Sequence, residues 1–278
     1  SRKNFIELCE RLTTTDEQVF EDLWTQLGLS VDWSMTYATI GEKARRTSQR
    51  MFLRDLARGD AYTAEAPCMW DVTFQMAVSQ AEVEDKPRPG AYHDITFHLT
   101  DPAATGPQGG ATLMVSTTRP ELLASCVALV AHPDDERYQP LFGTTVTTPV
   151  FGVEVPVVAH ALADPEKGSG IAMICTFGDL TDVTWWRELQ LPTRPIIGWD
   201  GRIRPEVPEW ISSDTGREAY ASLAGATTHT AKERMVELLT QSGDLVGEPR
   251  AITHPVKFFE KGDKPLEIVT TRQWYITN

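Results

Sequence analysis

The run of short segments after residue 90 constrains the fold of this chain more than any other feature. These segments are rich in β-branched residues and separated by glycine and proline, which is typical of strands and tight turns. Helical periodicities interrupt them without a regular alternation of strand and helix, which favours an α+β domain with a barrel-like sheet over repeated βαβ units. The predicted strands are 93–99, 112–116, 126–131, 145–150, 153–159, 171–175 and 194–199, with a turn at Asp200–Gly201, and the predicted helices are 181–190, 216–223 and 230–241.

The residues before this region predict a mostly helical framework. Over residues 15–27 the apolar positions share one helical face, and a second helix is predicted over 39–58, ending at Gly59. The basic residues of the second helix are either phosphate contacts or the solvated face of an amphipathic helix. Beyond residue 250 the chain becomes strand-like again. We therefore predict a helical connecting framework over 1–90, an inserted domain over 91–250, and return strands of the framework over 251–278.

Charge and cysteine content narrow the class of protein. The 26 basic and 39 acidic residues give a net charge of −13, which argues against a protein that coats nucleic acid, so any RNA contact has to be local. The four cysteines lie far apart without paired spacing, which suggests neither a zinc ribbon nor a disulfide framework and fits reduced thiols. No apolar run reaches the roughly 18 to 20 residues of a membrane helix, and no secretory signal opens the chain. We expect a soluble, cytoplasmic protein that does not bind membranes, and its abrupt ends suggest a segment of a larger one.

The first candidate functional motif is Ser116-Thr117-Thr118-Arg119-Pro120-Glu121, directly after an apolar strand segment. Its hydroxyl groups offer hydrogen-bond donors and acceptors in a geometry held by the sheet. Its arginine adds a permanent positive charge that can hold a phosphate or a carbonyl oxygen. The same spacing is also that of an ordinary helix start, with Thr118 as the cap and Glu121 in the first turn, and the sequence leaves both interpretations open.

The second motif begins with Gly168-Ser169-Gly170, continues through an apolar strand, and ends with Thr176-Phe177-Gly178-Asp179 and Asp182. Glycine lets a backbone approach a ligand closely, and the strand delivers two carboxylates to its far end, where a helix begins. Such a pair can bind an ammonium ion or orient a water molecule. Helix capping by the two aspartates is the alternative.

No other pattern carries comparable chemistry. His132 and His160 are the histidines nearest to these motifs, and a lone histidine is more often structural than catalytic. No spacing supports a metal site, so none is predicted, and neither Ser116 nor Ser169 lies in the G-x-S-x-G turn of an activated serine. The residues alone support a hydrolase or a ligand-binding domain.

The same two motifs carry a resemblance to a known family. STTRPELL (116–123) resembles the threonine-rich loop in the editing domains of the valyl, isoleucyl and leucyl class I aminoacyl-tRNA synthetases, and GSGIAMICTFGDLTDVTWW (168–186) resembles their second conserved segment. VAHPDDERY between them fits the same family, and SVDW, SQRMFLRDLARGDAY and EAPCMWDV resemble its connecting framework. The resemblance covers essentially the whole chain, and CTFGD-x-TD-x-x-WW looks like an archaeal-type branch of the valyl enzymes.

This resemblance implies an editing domain that hydrolyses threonine wrongly joined to valine tRNA. The commoner bacterial form has a lysine and Ala-His where this chain has Met173 and Phe177-Gly178, so the roles of those side chains do not transfer. The family's ATP-site signatures, HIGH and KMSKS, do not occur here, so aminoacylation and its ATP and magnesium would belong to the full synthetase. The implied partners are the 3′ end of valine tRNA, the mischarged threonine and the rest of the synthetase.

The implied roles fall on residues of the two motifs. Asp182, supported by Asp179, would bind the α-ammonium group of the misplaced amino acid. Thr117 or Thr118 would contact its side chain or the terminal ribose, and Arg119 would hold the terminal adenosine or its phosphate. Further substrate or tRNA contacts are predicted at Ser116, Gly168, Ser169, Gly170, Thr176 and Phe177.

Three other functions remain open at this point. An isoleucyl or leucyl editing domain would remove valine or other aliphatic residues instead of threonine. A structural insertion would bind tRNA without hydrolysing anything. A metal-dependent hydrolase would be inhibited by a chelator.

Overall fold

The computed structural model describes residues 1–277, so the last residue of the predicted range 251–278, Asn278, lies outside the described residues. The chain separates into two compact units, one of Ser1–Thr63 together with the segment from Trp274, and one of Ala64–Gln273. No helix among residues 1–277 combines the length and the apolar composition needed to cross a bilayer.

The first unit contains two long helices, α1 (Arg2–Gln26) and α2 (Glu42–Arg58). Helix α1 contains the predicted helix 15–27 but begins much earlier, where the side chain of Ser1 accepts a hydrogen bond from the Asn4 amide. Helix α2 confirms the predicted second helix, and Gly59, with φ +81°, ends it in the left-handed conformation that glycine adopts most easily. Neither helix has a buried residue.

The second unit contains a seven-stranded mixed sheet and three helices. Its seven-stranded sheet has the strand order β4-β3-β6-β7-β5-β8, with β9 paired to β3, and a separate three-stranded sheet has the order β10-β1-β2. Strands β5 and β7 are parallel, whereas the registers of β3 with β4, β6 and β9 are antiparallel. The strands are β1 (Ala61–Asp71), β2 (Met76–Ala77), β3 (Val83–Leu99), β4 (Thr112–Thr117), β5 (Cys126–Ala131), β6 (Thr145–Thr147), β7 (Glu154–Ala159), β8 (Ile171–Cys175), β9 (Leu245–Phe259) and β10 (Glu267–Ile276), and the helices are α3 (Leu180–Glu188), α4 (Asp214–Leu223) and α5 (Thr228–Ser242).

The predicted α+β class is confirmed, although the sheet does not close into a barrel. Strands β4 and β8, at the two ends of the strand order, approach each other without pairing. This approach matters for function because each of these strands leads into or out of one of the predicted motifs. The curl of the sheet therefore brings together segments that are about 50 residues apart in sequence.

Local sequence predicted the short buried strands well and the exposed ones poorly. Strands β5 and β8 have the predicted bounds, and helices α3, α4 and α5 differ from prediction by a few residues at their ends. The predicted strand 194–199 is wrong: it contributes only the isolated bridge of Ile197 with Ile203, around the confirmed turn at Asp200–Gly201. Strands β1 and β2 lie in the range that the sequence indicates as mostly helical, and neither is predicted. Strands β3 and β9 extend beyond their predicted ranges through exposed stretches that have no apolar alternation to indicate them.

The predicted domain limits can be compared with this topology. Residue 90 lies inside β3 and residue 250 inside β9, and these two strands pair over most of their length. The compact units instead separate at residues 63 and 273. The division into a connecting framework over 1–90, an inserted domain over 91–250 and return strands over 251–278 stays a prediction.

The core of the second unit follows from the spacing of apolar side chains. In β3, Ile95, Phe97 and Leu99 occupy alternate positions and are buried, as the period of two in a strand requires. Strand β5 is buried at all six positions because it has a hydrophobic cluster on each face, which explains its continuous apolar sequence CVALVA. Helix α5 adds Ala231, Met235 and Leu239 at intervals of four residues.

Truncating a side chain of this core should destabilise the unit. We expect Leu129→Ala, at a position with 0% exposure, to lower the free energy of unfolding by about 2–5 kcal/mol, because the remaining structure cannot fill the cavity. Leu162→Ala is the matched control, since Leu162 is 55% exposed and should change stability little. Urea unfolding of both variants measures the difference, and equal losses would contradict the assigned core.

Candidate functional site

The end of β4 and the loop before β8 meet through direct contacts. The backbone amide of Ser116 donates a hydrogen bond to Oγ of Ser169 over 3.0 Å. Gly168 packs so closely against Ser116 that an added Cβ would lie 3.0 Å from the serine Cβ, and its φ of +64° also favours glycine. The structure therefore brings the first motif and the glycine-rich start of the second motif together.

The glycine-rich loop is held by groups of the protein itself. Ser169 Oγ donates to the carbonyl of Ile171 over 3.0 Å, and the Tyr138 hydroxyl donates to the carbonyl of Ser169 over 2.7 Å. A side chain at Gly170 would collide with the Arg137 guanidinium and the Pro165 carbonyl. Packing therefore accounts for both glycines, and the predicted ligand contacts of Gly168, Ser169 and Gly170 stay predictions.

Asp179 and Asp182 form a reciprocal cap at the start of α3. Oδ1 of Asp179 accepts hydrogen bonds from the amides of Thr181 and Asp182, at 2.7 and 3.0 Å. Oδ2 of Asp182 accepts from the amide of Gly178 at 2.8 Å and from that of Asp179 at 3.3 Å. The capping alternative is thus confirmed, and it fixes both carboxylates against the backbone.

Asp182 is nevertheless an unusual cap because it is buried. Its exposure is only 6%, and burial, together with the negative charge of Asp179, raises the pKa of its carboxyl group well above the ordinary value. The hydrogen bonds from the backbone amides oppose this rise. The short contacts from the amides of Gly178 and Asp179 both reach Oδ2, and the backbone amide of Cys175 also acts on the carboxyl group.

Arg119 connects the two motifs through its guanidinium group. Nε donates to Glu121 over 2.9 Å, Nη1 to the carbonyl of Gly178 over 3.2 Å, and Nη2 to Glu267 over 2.8 Å. Burial lowers the pKa of Arg119, but the carboxylates of Glu267 and Glu121 outweigh it and raise the pKa, so the group is always charged. These contacts favour a positioning role, and the predicted hold on the terminal adenosine or its phosphate stays a prediction.

The predicted hydroxyl and aromatic residues occupy different surroundings. Oγ1 of Thr117 accepts a hydrogen bond from the Arg119 amide over 3.1 Å, whereas half-buried Thr118 has a hydroxyl without a hydrogen-bond partner in residues 1–277. Thr176 is buried and accepts from the Arg194 amide at 2.7 Å. Phe177 is buried edge-on against Trp186, with ring centroids 5.3 Å apart. Of the two threonines, Thr118 therefore has the hydroxyl that the described chain leaves unengaged, while Thr176 and Phe177 are buried in the packing.

Basic residues that the sequence did not single out surround the Ser116 end of this region. Nη2 of Arg250 lies 3.0 Å from Oδ1 of Asp94 and 3.2 Å from the hydroxyl of Ser116. Burial lowers the pKa of both His93 and His254, and the positive charge of Lys232 lowers each further. These residues come from β3, β9 and α5, so no local pattern could have grouped them.

The two motif histidines have structural partners. Nδ1 of His132 accepts from the Asp134 amide over 3.1 Å. His160 pairs with Glu188 at 2.8 Å and accepts from the indole of Trp185 at 3.2 Å. In the described chain, residues 1–277, no group of three or more His, Cys, Asp or Glu side chains has the arrangement of a metal site.

Comparison with known proteins defines the family. The family model described as tRNA synthetases class I (I, L, M and V) matches residues 1–278. The chain therefore belongs to the class I tRNA synthetases of the isoleucine, leucine, methionine and valine group.

Within this family the chain is similar over its whole length to valine–tRNA ligases. It is 71% identical to that of Thermobifida fusca and 68% identical to that of Leifsonia xyli, each match covering 100% of this chain and 31% of the relative. A solved structure, the ternary complex of Agrobacterium radiobacter K84 agnB2 LeuRS with tRNA and LeuAMS, has a TM-score of 0.39 and 15% identity, covering 88% of this chain and 36% of that one. The chain thus spans about a third of the length of its curated relatives, and its assignment to an archaeal-type branch stays a prediction.

Removing one carboxylate from the Arg119 cluster should destabilise the site. We expect Glu267→Gln to lower the free energy of unfolding by about 1.5–3 kcal/mol, because it removes one of the two carboxylates that pair with a partly buried guanidinium. Glu260→Gln is the control, since Glu260 pairs with Lys261 at the surface and should change stability by less than about 1 kcal/mol. Urea unfolding measures both, and a loss no larger than that of the control would contradict the role of Glu267.

The raised pKa of Asp182 predicts a specific dependence of stability on pH. A carboxyl group whose pKa is higher in the folded state contributes stability below its unfolded pKa and loses it as the pH rises through the folded value. Asp182→Asn keeps a hydrogen-bond acceptor but cannot ionise, so the variant should gain stability relative to the parent chain as the pH rises from about 4 to about 8. Unfolding at several pH values tests this, and a difference that stays constant with pH would contradict it.

Proposed function

We propose that this chain carries the post-transfer editing activity of a valyl-tRNA synthetase: it hydrolyses the ester bond of threonine mischarged on valine tRNA. The observation that carries the proposal is the junction of the two motifs, in which Arg119 connects the hydroxyl-bearing end of β4 to Gly178, beside Asp182. The Asp182 carboxylate and the Thr118 hydroxyl then flank this junction, the latter without a hydrogen-bond partner in residues 1–277. Family membership makes an aminoacyl-tRNA the natural substrate class.

A physical limit explains why such an activity is needed. Threonine has nearly the shape of valine, with a hydroxyl group in place of a methyl group, and a hydrophobic pocket rejects it only about 100-fold, a limit known for the valyl enzymes themselves. A second site that is polar can favour threonine instead. Valine would leave hydrogen-bonding groups of that site unsatisfied, which costs about 1–3 kcal/mol for each group.

Asp182 is the proposed anchor for the amino acid. Oδ1 would accept hydrogen bonds from the α-ammonium group, while Oδ2 stays bound to the backbone at the start of α3. A cation beside a buried carboxyl group favours its ionised form, so substrate binding would displace the proton that burial stabilises there. Asp179 supports this arrangement as the partner in the cap.

The threonine residues at the end of β4 are the proposed selectors of the side chain. Thr118 has a hydroxyl that can donate to or accept from the threonine hydroxyl of the substrate, whereas Thr117 is engaged with the Arg119 amide. Ser116 is tied to Asp94 and Ser169, and so shapes the wall of the site. Arg119 acts on this wall through Gly178 and Glu267.

Hydrolysis requires little further machinery from the protein. A water oxygen would add to the ester carbonyl, the carbon–oxygen bond to the ribose would break, and a proton would pass to the departing ribose oxygen. An ester is activated relative to an amide, so positioning of the water and the neighbouring ribose hydroxyl can supply much of the rate. The products would be threonine and uncharged tRNA.

A local positive field supports contact with the tRNA end despite the overall charge of −13. The charges of Lys232 and Lys167 both act on His254, and Arg250, which is paired with Asp94, lies against Ser116. Lysine and arginine neutralise backbone phosphates wherever they cluster. The proposed RNA contact is therefore confined to the surroundings of the β4 end.

One observation favours a second candidate function, a tRNA-binding insertion without hydrolytic activity. Several polar groups of the site already have partners within the chain. These are the donors of Arg119, one oxygen of each aspartate in the Asp179–Asp182 cap, and the Thr117 hydroxyl. Such a protein would bind tRNA and leave its ester intact. Incubation of the chain with mischarged threonyl-tRNA and with correctly charged valyl-tRNA separates the two candidates, and also separates valyl from isoleucyl or leucyl editing.

Replacing Asp182 should impair hydrolysis without unfolding the protein. We expect Asp182→Asn to slow deacylation of threonyl-tRNA by roughly 10- to 100-fold, because a charged hydrogen bond to the ammonium group is worth about 1.5–3 kcal/mol. Asp214→Asn is the matched control, since Asp214 also lies in the first turn of a helix, α4, but is exposed and outside the site. Unchanged deacylation by Asp182→Asn would contradict the assignment, and no turnover by the parent chain would favour the second candidate.

A further inference from the structure

A cavity on the Ala64–Gln273 unit lies outside the candidate site. Its volume is about 480 Å³, and its walls include Trp70, Trp199, Arg204, Arg272 and Thr270. A volume of this order lies within the range of small-ligand sites. The hydrolytic function proposed above uses none of these residues.

Two indole rings at this cavity are held in place by the backbone. Nε1 of Trp70 donates to the carbonyl of Trp199 over 2.7 Å, and Nε1 of Trp199 donates to the carbonyl of Thr270 over 3.3 Å. The ring centroids lie 6.1 Å apart at an angle of 35°. Trp199 is still 57% exposed, so a fixed aromatic surface faces solvent. Because the rings are already ordered, a ligand that stacks on them loses little conformational entropy.

Two guanidinium groups without partners lie beside these rings. Neither Arg204 nor Arg272 forms a side-chain ion pair or hydrogen bond within residues 1–277, in contrast to Arg119, whose donors bind Glu121, Gly178 and Glu267. Glu65 is the single acidic residue of the cavity wall among the described residues. The cavity is therefore locally basic on a chain whose net charge is −13.

We propose that this cavity binds a nucleotide of single-stranded RNA, with the base stacked on Trp199 and the phosphate held by Arg204 and Arg272. Every base has a π-face that can stack on an indole, and the planar arginine fork matches the oxygens of a phosphate. A protein segment bound in this cavity would have to supply an apolar group for the indole rings and paired carboxylates for the two guanidinium groups. A nucleotide combines the two requirements in one unit.

The cavity is separate from the candidate hydrolytic site but is connected to it by β10. Thr270 lies three residues beyond Glu267, the partner of Arg119, which corresponds to about 10 Å along a strand. RNA bound in the cavity would therefore lie beside the candidate hydrolytic site and not in it. The inference therefore goes beyond the proposed hydrolysis and does not depend on it.

Binding of a fluorescein-labelled single-stranded RNA hexanucleotide to the chain, followed by anisotropy, tests the stacking contact. We expect Trp199→Ala to weaken binding by roughly 5- to 100-fold, and Trp199→Phe to retain most of the affinity because it keeps an aromatic face. Trp24→Ala is the matched control, since Trp24 is 46% exposed and stacked on Trp33, but has no part in the cavity. Equal affinity of Trp199→Ala and the parent chain would overturn the proposal.

The salt dependence of the same binding tests the role of the two arginines. Replacement of Arg204 or Arg272 by glutamine should reduce the slope of log affinity against log salt by about 0.7 for each phosphate that the variant no longer neutralises. Arg46→Gln is the control, because Arg46 pairs with Glu42 on α2. An unchanged slope in both cavity variants, as expected if the cavity is covered by protein instead, would overturn the proposal.

These outcomes are distinguishable from those of the hydrolytic proposal. If Trp199→Ala binds RNA more weakly and the parent chain does not hydrolyse threonyl-tRNA, only the proposed hydrolytic function would be rejected. If the parent chain hydrolyses threonyl-tRNA but substitutions at Trp199, Arg204 and Arg272 leave RNA affinity unchanged, only the proposal of RNA binding at the cavity would be rejected. Urea unfolding of each variant separates an effect on binding from an effect on folding.

Discussion

The guanidinium group of Arg119 holds together three parts of the chain that are distant in sequence. It binds Glu121 in its own loop, the carbonyl of Gly178 before α3, and Glu267 in β10. Burial of this cluster is tolerable because each guanidinium nitrogen of Arg119 donates to an oxygen of the chain and the two carboxylates face a permanent positive charge. The hydroxyls of β4 and the carboxylates of α3 owe their relative position to this cluster.

The start of α3 combines two demands on one pair of carboxylates. As caps, Asp179 and Asp182 satisfy backbone amides that have no partner within the helix. As a buried and partly engaged group, Asp182 retains a raised pKa that a bound cation would reverse. Structural capping is therefore compatible with the proposed recognition of an ammonium group, because the short capping contacts reach only one oxygen of the Asp182 carboxylate.

Much of the fold was predictable from local patterns, and the errors of that prediction have physical causes. The buried strands β5 and β8 and the helices α3 to α5 followed from apolar periodicity and capping residues. The exposed ends of β3 and β9 did not, because they pair with each other through backbone hydrogen bonds that leave no trace in side-chain hydrophobicity. Residues 194–199 look like a strand but find only one bridging partner.

Some properties of the candidate site were also predictable from the sequence, and others were not. The amino-acid sequence was sufficient to locate the two motifs and to identify the family to which the chain belongs, because those properties depend on residue types in short runs such as Ser116–Glu121 and Gly168–Asp182. The three-dimensional arrangement was needed to show that Arg119 is engaged by Glu267, that Phe177 is buried, and that the Thr118 hydroxyl has no hydrogen-bond partner in residues 1–277. Those properties depend on which distant segments the curled sheet brings together, and hydrogen bonds between such segments have no counterpart in local sequence.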